Sequence, residues 1–176
     1  GWDGIIVRGI SEKPVYLWIK DGEIAIKDAT HLWGKENGEV HDTIQRELGE
    51  KNIRISQIGP AGENLVQYAC IMNDLKHACG RNGLGAVMGS KNLKAIAIKG
   101  TEGINFKDRK RILEISKWYS EYFKENPLSN GLHMYGTASV VEGANLSGIL
   151  PTINFRDGFF EQAENLTGKR MADTIL

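Results

Sequence analysis

Fifteen residues, Gly80 to Lys94, concentrate the chemistry available to this chain. They hold four glycines (Gly80, Gly83, Gly85, Gly89) and three cations (Arg81, Lys91, Lys94), and the apolar run Ala95-Ile96-Ala97-Ile98 follows at once. Glycine turns with φ > 0 and lets a backbone approach a ligand closely. Successive N–H groups in such a turn make an anion-binding concavity, and a helix opening after it adds its positive dipole end. From residue types alone, the segment fits a phosphate-bearing ligand held largely by backbone, with Arg81, Lys91 and Lys94 supplying full charges.

Established anion-site spacings narrow this reading without closing it. A P-loop needs Gly-x4-Gly-Lys-Ser/Thr, but here the order is Gly89-Ser90-Lys91 and Leu84 stands where the first glycine belongs. A dinucleotide fingerprint needs Gly-x-Gly-x-x-Gly between strand and helix. Gly83-Leu84-Gly85 opens it, Met88 occupies the third glycine's place, and Lys99 and Thr101 lie where an acid is expected. An irregular loop around a large polyphosphate or pterin-type cofactor is compatible with the spacing. So is a helix–loop–strand whose glycines serve close packing, and the residues leave both open.

The flanking elements must position this loop. Ile5-Ile6-Val7 reads as a buried strand and Pro14 to Ile19 as a second. Asp21-Gly22 is a hairpin signal leading into Ile24-Ala25-Ile26. Thr30 is placed to cap a short turn. Val40, Ile44 and Leu48 recur four apart, so Glu39 to Leu48 reads as a helix stopped by Gly49. Ile53 to Ile58 alternates as a strand, and Gly59-Pro60-Ala61-Gly62 is a forced turn. Leu65 to Met72 reads as strand, Asn73 to Gly80 as a polar linker with helical character, and Ala95 to Lys99 as strand. Beyond Gly100–Gly103 the pattern turns helical: Asp108 to Lys124, ended by Asn126-Pro127; Tyr135 to Leu146, with Gly148 past its end; and a last helix from Thr167. Leu150 to Phe155 reads as extended.

Composition sets the outer bounds. The chain has 176 residues, with 22 acids balancing 22 Lys and Arg, which argues against a nucleic-acid partner. No apolar run approaches the ~20 residues of a membrane span, and no signal peptide is recognisable. Cys70 and Cys79 form neither a disulfide framework nor a Cys-x-x-Cys motif, and two free thiols fit a reducing cytoplasm. Residue 1 is Gly, inside a strand-like run, so the chain reads as a fragment of something longer or a processed product.

Several blocks carry a resemblance: Lys13-Pro14-Val15-Tyr16-Leu17, His31-Leu32-Trp33-Gly34, Ile58 to Val66, Ile71-Met72-Asn73-Asp74, Gly80 to Gly100, Tyr135-Gly136-Thr137-Ala138 and Leu150 to Phe155. Together they resemble the aldehyde ferredoxin oxidoreductase family. The resemblance implies an α+β fold: a β-rich cofactor-base domain (a mixed sheet with helices), followed by the start of a mainly helical domain. Residues 1–103 are similar to the second half of the base and 104–176 to the opening of the helical domain. It implies a tungsten or molybdenum bis-pyranopterin cofactor and oxidation of a small aldehyde to a carboxylic acid. It further implies that electrons pass through a [4Fe–4S] cluster to ferredoxin, in a family whose members are commonly homodimers.

Residue by residue, the resemblance carries Arg81, Asn82, Gly83 and Gly85 to the pterin phosphates. Arg81 pairs with phosphate or pterin oxygens, the Asn82 backbone carbonyl reaches a magnesium ion bridging the phosphates, and Gly83 and Gly85 donate N–H groups. Lys91 and Lys94 read as solvated cations, and Cys70 and Cys79 as buried small apolar residues. Glu63-Asn64 and Asp74 either orient the cofactor or close local turns. The family's cluster cysteines and proton-transfer groups fall outside the segment, which implies no catalytic residue here and no activity alone. Two other readings stay open: an NAD(P)-binding dehydrogenase-like domain on the Gly83-x-Gly85 loop, and a non-catalytic relic of the family.

Overall fold

Val15–Lys20 (β1) and Glu23–Asp28 (β2) form the hairpin that Asp21-Gly22 announces. Both turn residues are left-handed, with φ of 47° and 91°, as a two-residue hairpin with the twist of its strands requires. The computed structural model describes residues 3–50 and 52–175 and falls into two units, Gly1–Asn105 and Phe106–Leu176. In the first unit, Arg54–Gln57 (β3), Ile71–Asn73 (β4), His77–Cys79 (β5) and Leu93–Lys99 (β6) complete a mixed sheet of order β2-β1-β6-β3-β4-β5. Strand β6 is central, parallel to β1 and antiparallel to β3.

Each face of the sheet carries a core. Helix α1 (Asn37–Leu48) lays Val40 and Ile44 against Tyr16, Ile55, Ala95 and Ala97, with Leu32 and Ala29 closing the edge. Gly49 ends it in the left-handed conformation, φ 64°. On the opposite face Val15, Ile58 and Leu93 meet Met88. The Tyr16 hydroxyl donates to Glu47 Oε2 at 3.3 Å, and burial, reinforced by that carboxylate, pushes the phenol up to about 12. Glu50 accepts from Lys20 at 2.7 Å and from Lys99, tying the end of α1 to the sheet.

Several expectations are corrected here. Residues 5–7 form no strand, and Ile6 is exposed; an apolar run alone does not supply a pairing partner. The Gly1 start of that run lies outside the described residues. Thr30 does not cap: its N–H instead donates to Asp28 Oδ1 at 2.9 Å. Gly59 to Gly62 is not a bare turn, since Pro60–Glu63 forms a one-turn helix, α2, with Pro60 in its first turn. Residues 65–70 are irregular rather than strand, and 73–80 contains a hairpin rather than a linker, because Asp74 and Leu75 both take left-handed φ (48° and 60°) and fold β5 back on β4.

Asp28 gives a prediction about acid. Lys13 Nζ lies 2.5 Å from its Oδ2, and that contact, with the Thr30 N–H, lowers the carboxyl to about 2 from 3.8. A lowered folded-state value contributes stability above the unfolded value and loses it as pH falls through the folded one. Asp28→Asn in the full-length protein should therefore flatten the loss of stability between about pH 4 and pH 2, read as urea midpoints across that window. A wild-type slope there would show the carboxylate to be idle.

The second unit is helical. Helix α4 (Arg109–Tyr122) is capped by Asp108, whose Oδ1 accepts the Arg111 N–H at 2.9 Å. After a short 3-10 turn, Asn126 caps a second helix, α5 (Pro127–Tyr135), through the Ser129 N–H at 3.0 Å. Asn126-Pro127 thus both stops one helix and starts another. The stretch expected as one helix from Tyr135 is a 3-10 turn, Gly136–Val140, followed by α6 (Val141–Leu146). Thr167 caps α7 (Gly168–Ile175) through the Arg170 N–H at 3.2 Å; Leu176 lies outside the described residues. Leu150 to Phe155 is not simply extended: Ile153, Asn154 and Phe155 are left-handed (φ 48°, 52°, 66°), and Thr152 exchanges backbone hydrogen bonds with Asp157 around them.

Candidate cofactor-phosphate site

The glycine loop leaves edge strand β5 at Cys79 and enters α3 (Leu84–Gly89) at Gly83. Asn82 and Gly83 are both left-handed, φ 66° and 63°. Arg81 and Asn82 are exposed. Among the described residues, the N–H groups of Arg81, Asn82 and Gly83 and the carbonyls of Arg81 and Asn82 have no backbone partner. Three consecutive unspent donors and two unspent acceptors, the Arg81 and Asn82 carbonyls, therefore sit on one tight turn. Gly83 is buried, and the exposed groups of Arg81 and Asn82 bind water, or an anion and a hard cation when these are offered.

Gly83, Gly85 and Gly89 each meet the protein's own backbone. A Cβ at Gly83 would collide with the Gln67 carbonyl, and the left-handed φ also favours glycine there. Gly85 and Gly89 serve the protein's own packing. A Cβ at Gly85 would lie 2.5 Å from Cys70 O, and one at Gly89 would run into Gly62 O. Gly62 in turn lies against Gly85, its notional Cβ 2.9 Å from the carbonyl. The Gly85 N–H donates to Ala69 O at 2.9 Å, so the N–H expected to face phosphate is spent inside the fold, and Gly85 shapes the loop by close packing.

The three cations separate as well. Lys94 is neither solvated nor free for a ligand: it is fully buried, paired with Glu63, whose side chain is 3 % exposed, and it donates to Lys35 O at 3.1 Å. Lys91 Nζ donates to Gly9 O at 3.1 Å. Among the described residues Arg81 makes no ion pair or side-chain hydrogen bond and stands beside the unspent backbone. Sequence reasoning missed the Glu63–Lys94 pair. Its one signal is a lone cation inside the apolar strand Leu93–Ile98.

The remaining candidates are structural. Glu63 Oε2 accepts the Gly34 N–H at 2.7 Å, and Asn64 Nδ2 donates to Pro60 O at 2.8 Å. Asp74 Oδ1 accepts the Ile55 N–H at 2.9 Å and Oδ2 accepts from Arg54 at 3.0 Å. Burial pushes that carboxyl up, but these two hydrogen bonds outweigh it and hold it below its ordinary value. Cys79 is exposed and Cys70 half-buried, contrary to the expectation that both are buried. Among the described residues no three His, Cys, Asp or Glu side chains gather as a metal site, and no helix is long and apolar enough to cross a membrane.

The dinucleotide alternative is not favoured. That fingerprint joins a parallel strand to a full crossover helix, whereas here the loop follows β5, an antiparallel edge strand, and opens a six-residue helix. Comparison with known proteins agrees. The family model described as aldehyde ferredoxin oxidoreductase, N-terminal domain, matches residues 1–100, and that for domains 2 and 3 matches 114–176. The chain is 46% identical to the tungsten-containing aldehyde ferredoxin oxidoreductase of Thermococcus kodakarensis and 45% identical to that of Pyrococcus furiosus, in each case over 100% of this chain and 29% of the relative. It thus spans less than a third of the length of these curated relatives. A solved structure titled the active site complex BamBC of benzoyl coenzyme A reductase, in complex with 1,5-dienoyl-CoA, superposes with a TM-score of 0.69 at 28% identity, covering 94% of this chain and 27% of that one. On the glycine loop, the mixed sheet beneath it and these matches, the chain belongs to the aldehyde ferredoxin oxidoreductase family.

Proposed function

We propose that this chain forms one wall of the cofactor-phosphate site in an enzyme that oxidises small aldehydes to carboxylic acids and passes the electrons to ferredoxin. Its residues 1–103 are part of the cofactor-base domain and 104–176 open the helical domain. The observation that carries the reading is the Arg81–Gly83 turn, whose backbone donors and Asn82 carbonyl are unspent beside an unpaired guanidinium. That donor set fits the phosphates of a pterin cofactor. Arg81 clamps phosphate oxygens with its planar fork, the Arg81, Asn82 and Gly83 N–H groups share the anionic charge, and the Asn82 carbonyl offers magnesium the hard oxygen it prefers.

The metal–pterin group, tungsten or molybdenum, supplies the two-electron chemistry when bound: aldehyde plus water gives carboxylic acid, two protons and two electrons. The chain's own residues orient that group and take no proton. The [4Fe–4S] cluster that relays the electrons has its ligands in other parts of the protein. A cytoplasmic homodimer completes the reading.

Anaerobic purification of the full-length protein should yield tungsten or molybdenum together with iron and pterin; finding none of them overturns the proposal. Arg81→Ala should weaken pterin retention by roughly 10- to 100-fold, as expected for losing a charge-assisted bond, measured as pterin per chain after extended dialysis. Wild-type retention would remove Arg81 from the site.

A further inference from the structure

Lys94 occupies an irregular position in the central strand. Val15 pairs with Leu93 and the next residue of β1, Tyr16, pairs with Ala95, so Lys94 is the extra residue of a bulge. A bulge re-aims a side chain out of the sheet's alternation. Here the aimed side chain is fully buried, and it meets the almost fully buried Glu63 of α2. Glu63 also holds the Gly34 N–H, and Lys94 holds the Lys35 carbonyl. One ion pair therefore fixes α2, β6 and the segment entering α1.

The consequence for the glycine loop runs through short, named contacts. From α2, the Ala61 carbonyl accepts the Val66 N–H, the Val66 carbonyl accepts the Ala69 N–H, and the Ala69 carbonyl accepts the Gly85 N–H, each at 2.9 Å. In parallel, Gly62 touches Gly85 and Gly89 with no room for a Cβ. Helix α2 is a single turn, too short to hold itself. Its place is set by what grips it, and α3 follows its place. The loop Arg81–Gly83 is the entry to α3.

We propose that the buried Glu63–Lys94 pair is a positioning element for the phosphate loop, acting through α2 and α3 on Arg81–Gly83. The inference rests on reading that loop as the cofactor-phosphate site, and it adds residues that touch no cofactor.

The test compares full-length holoprotein with Glu63→Gln, using Glu63→Asp should the first not fold. The first readout is residue-resolved amide exchange. Loss of the pair should speed exchange at Val66, Ala69 and Gly85 by about 10-fold or more beyond any change at Ile44 in α1, since local openings are separable from global ones. The second is pterin retained after dialysis, which should fall. Arg81→Ala, which weakens pterin binding without touching the pair, corrects for the cofactor's own effect on exchange.

Selective acceleration along Val66, Ala69 and Gly85, beyond that in Arg81→Ala, supports the proposal. Acceleration shared equally by Ile44 marks a merely structural pair and overturns it, as does no change at all. Full pterin retention in Arg81→Ala would instead overturn the site reading and leave the exchange result standing. Lost pterin in Arg81→Ala with uniform exchange in Glu63→Gln would sink the positioning role alone.

Discussion

Gly89→Ala is expected to cost about 3 kcal/mol, the upper end for overpacking a close contact, and to loosen α3 from α2. The added Cβ would fall on the Gly62 carbonyl, with Gly62 C 2.8 Å and Glu63 Cα 3.4 Å away. These are backbone atoms, so no flexible side chain can yield. Gly62 is itself boxed in by Gly85 O and Ile58 Cβ, both 2.9 Å from its notional Cβ, and retreat in that direction is blocked. The control is Gly38→Ala in the first turn of α1, where a Cβ meets nothing within 4 Å. It should stabilise by about 0.5 kcal/mol through lower unfolded-state entropy. Urea midpoints of the full-length protein separate the two, and equal midpoints would mean that α2 and α3 do not pack glycine to glycine.

This contact also marks where the sequence stopped being legible. The hairpin at Asp21-Gly22, helix α1 with its Gly49 stop and the central strand β6 could all be read, because each is signalled by residues adjacent in the chain. The function of each glycine could not. A glycine says that something approaches closely, not whether it is phosphate or another stretch of the same backbone. Gly83, Gly85 and Gly89 all press on the protein's own backbone, and only the positions of Gln67, Cys70 and Gly62 in space reveal that. The β4–β5 hairpin was missed for a related reason. Its turn, Asp74-Leu75, contains no glycine, and it is held by Asp74 bonding to Ile55 on a neighbouring strand. Lys94 was misread as solvated because a charge is usually exposed, and the bulge that turns it inward is a property of pairing with β1 rather than of local sequence.

Lys94→Met should be at least as damaging as the glycine change. It leaves Glu63, 3 % exposed, as a buried carboxylate with only the Gly34 N–H for company. Removing one partner of a buried ion pair costs about 3–5 kcal/mol, because the survivor keeps its desolvation penalty without its counter-charge. The companion Lys94→Met/Glu63→Gln removes the stranded charge while an amide still accepts from Gly34, so most of the loss should return. The single changes will then fail to add, as expected for residues in contact. An exposed pair sets the baseline: Lys35, just before α1, lies 2.5 Å from Glu39 in its first turn, with side chains 36 % and 56 % exposed. Lys35→Ala should shift stability by about 0.5 kcal/mol or less. Urea unfolding of the full-length protein for Lys94→Met, Glu63→Gln, the double variant and Lys35→Ala gives the comparison. If Lys94→Met proves as mild as Lys35→Ala, or the double variant is no more stable than the single, the charge at position 94 does not neutralise Glu63 in the interior.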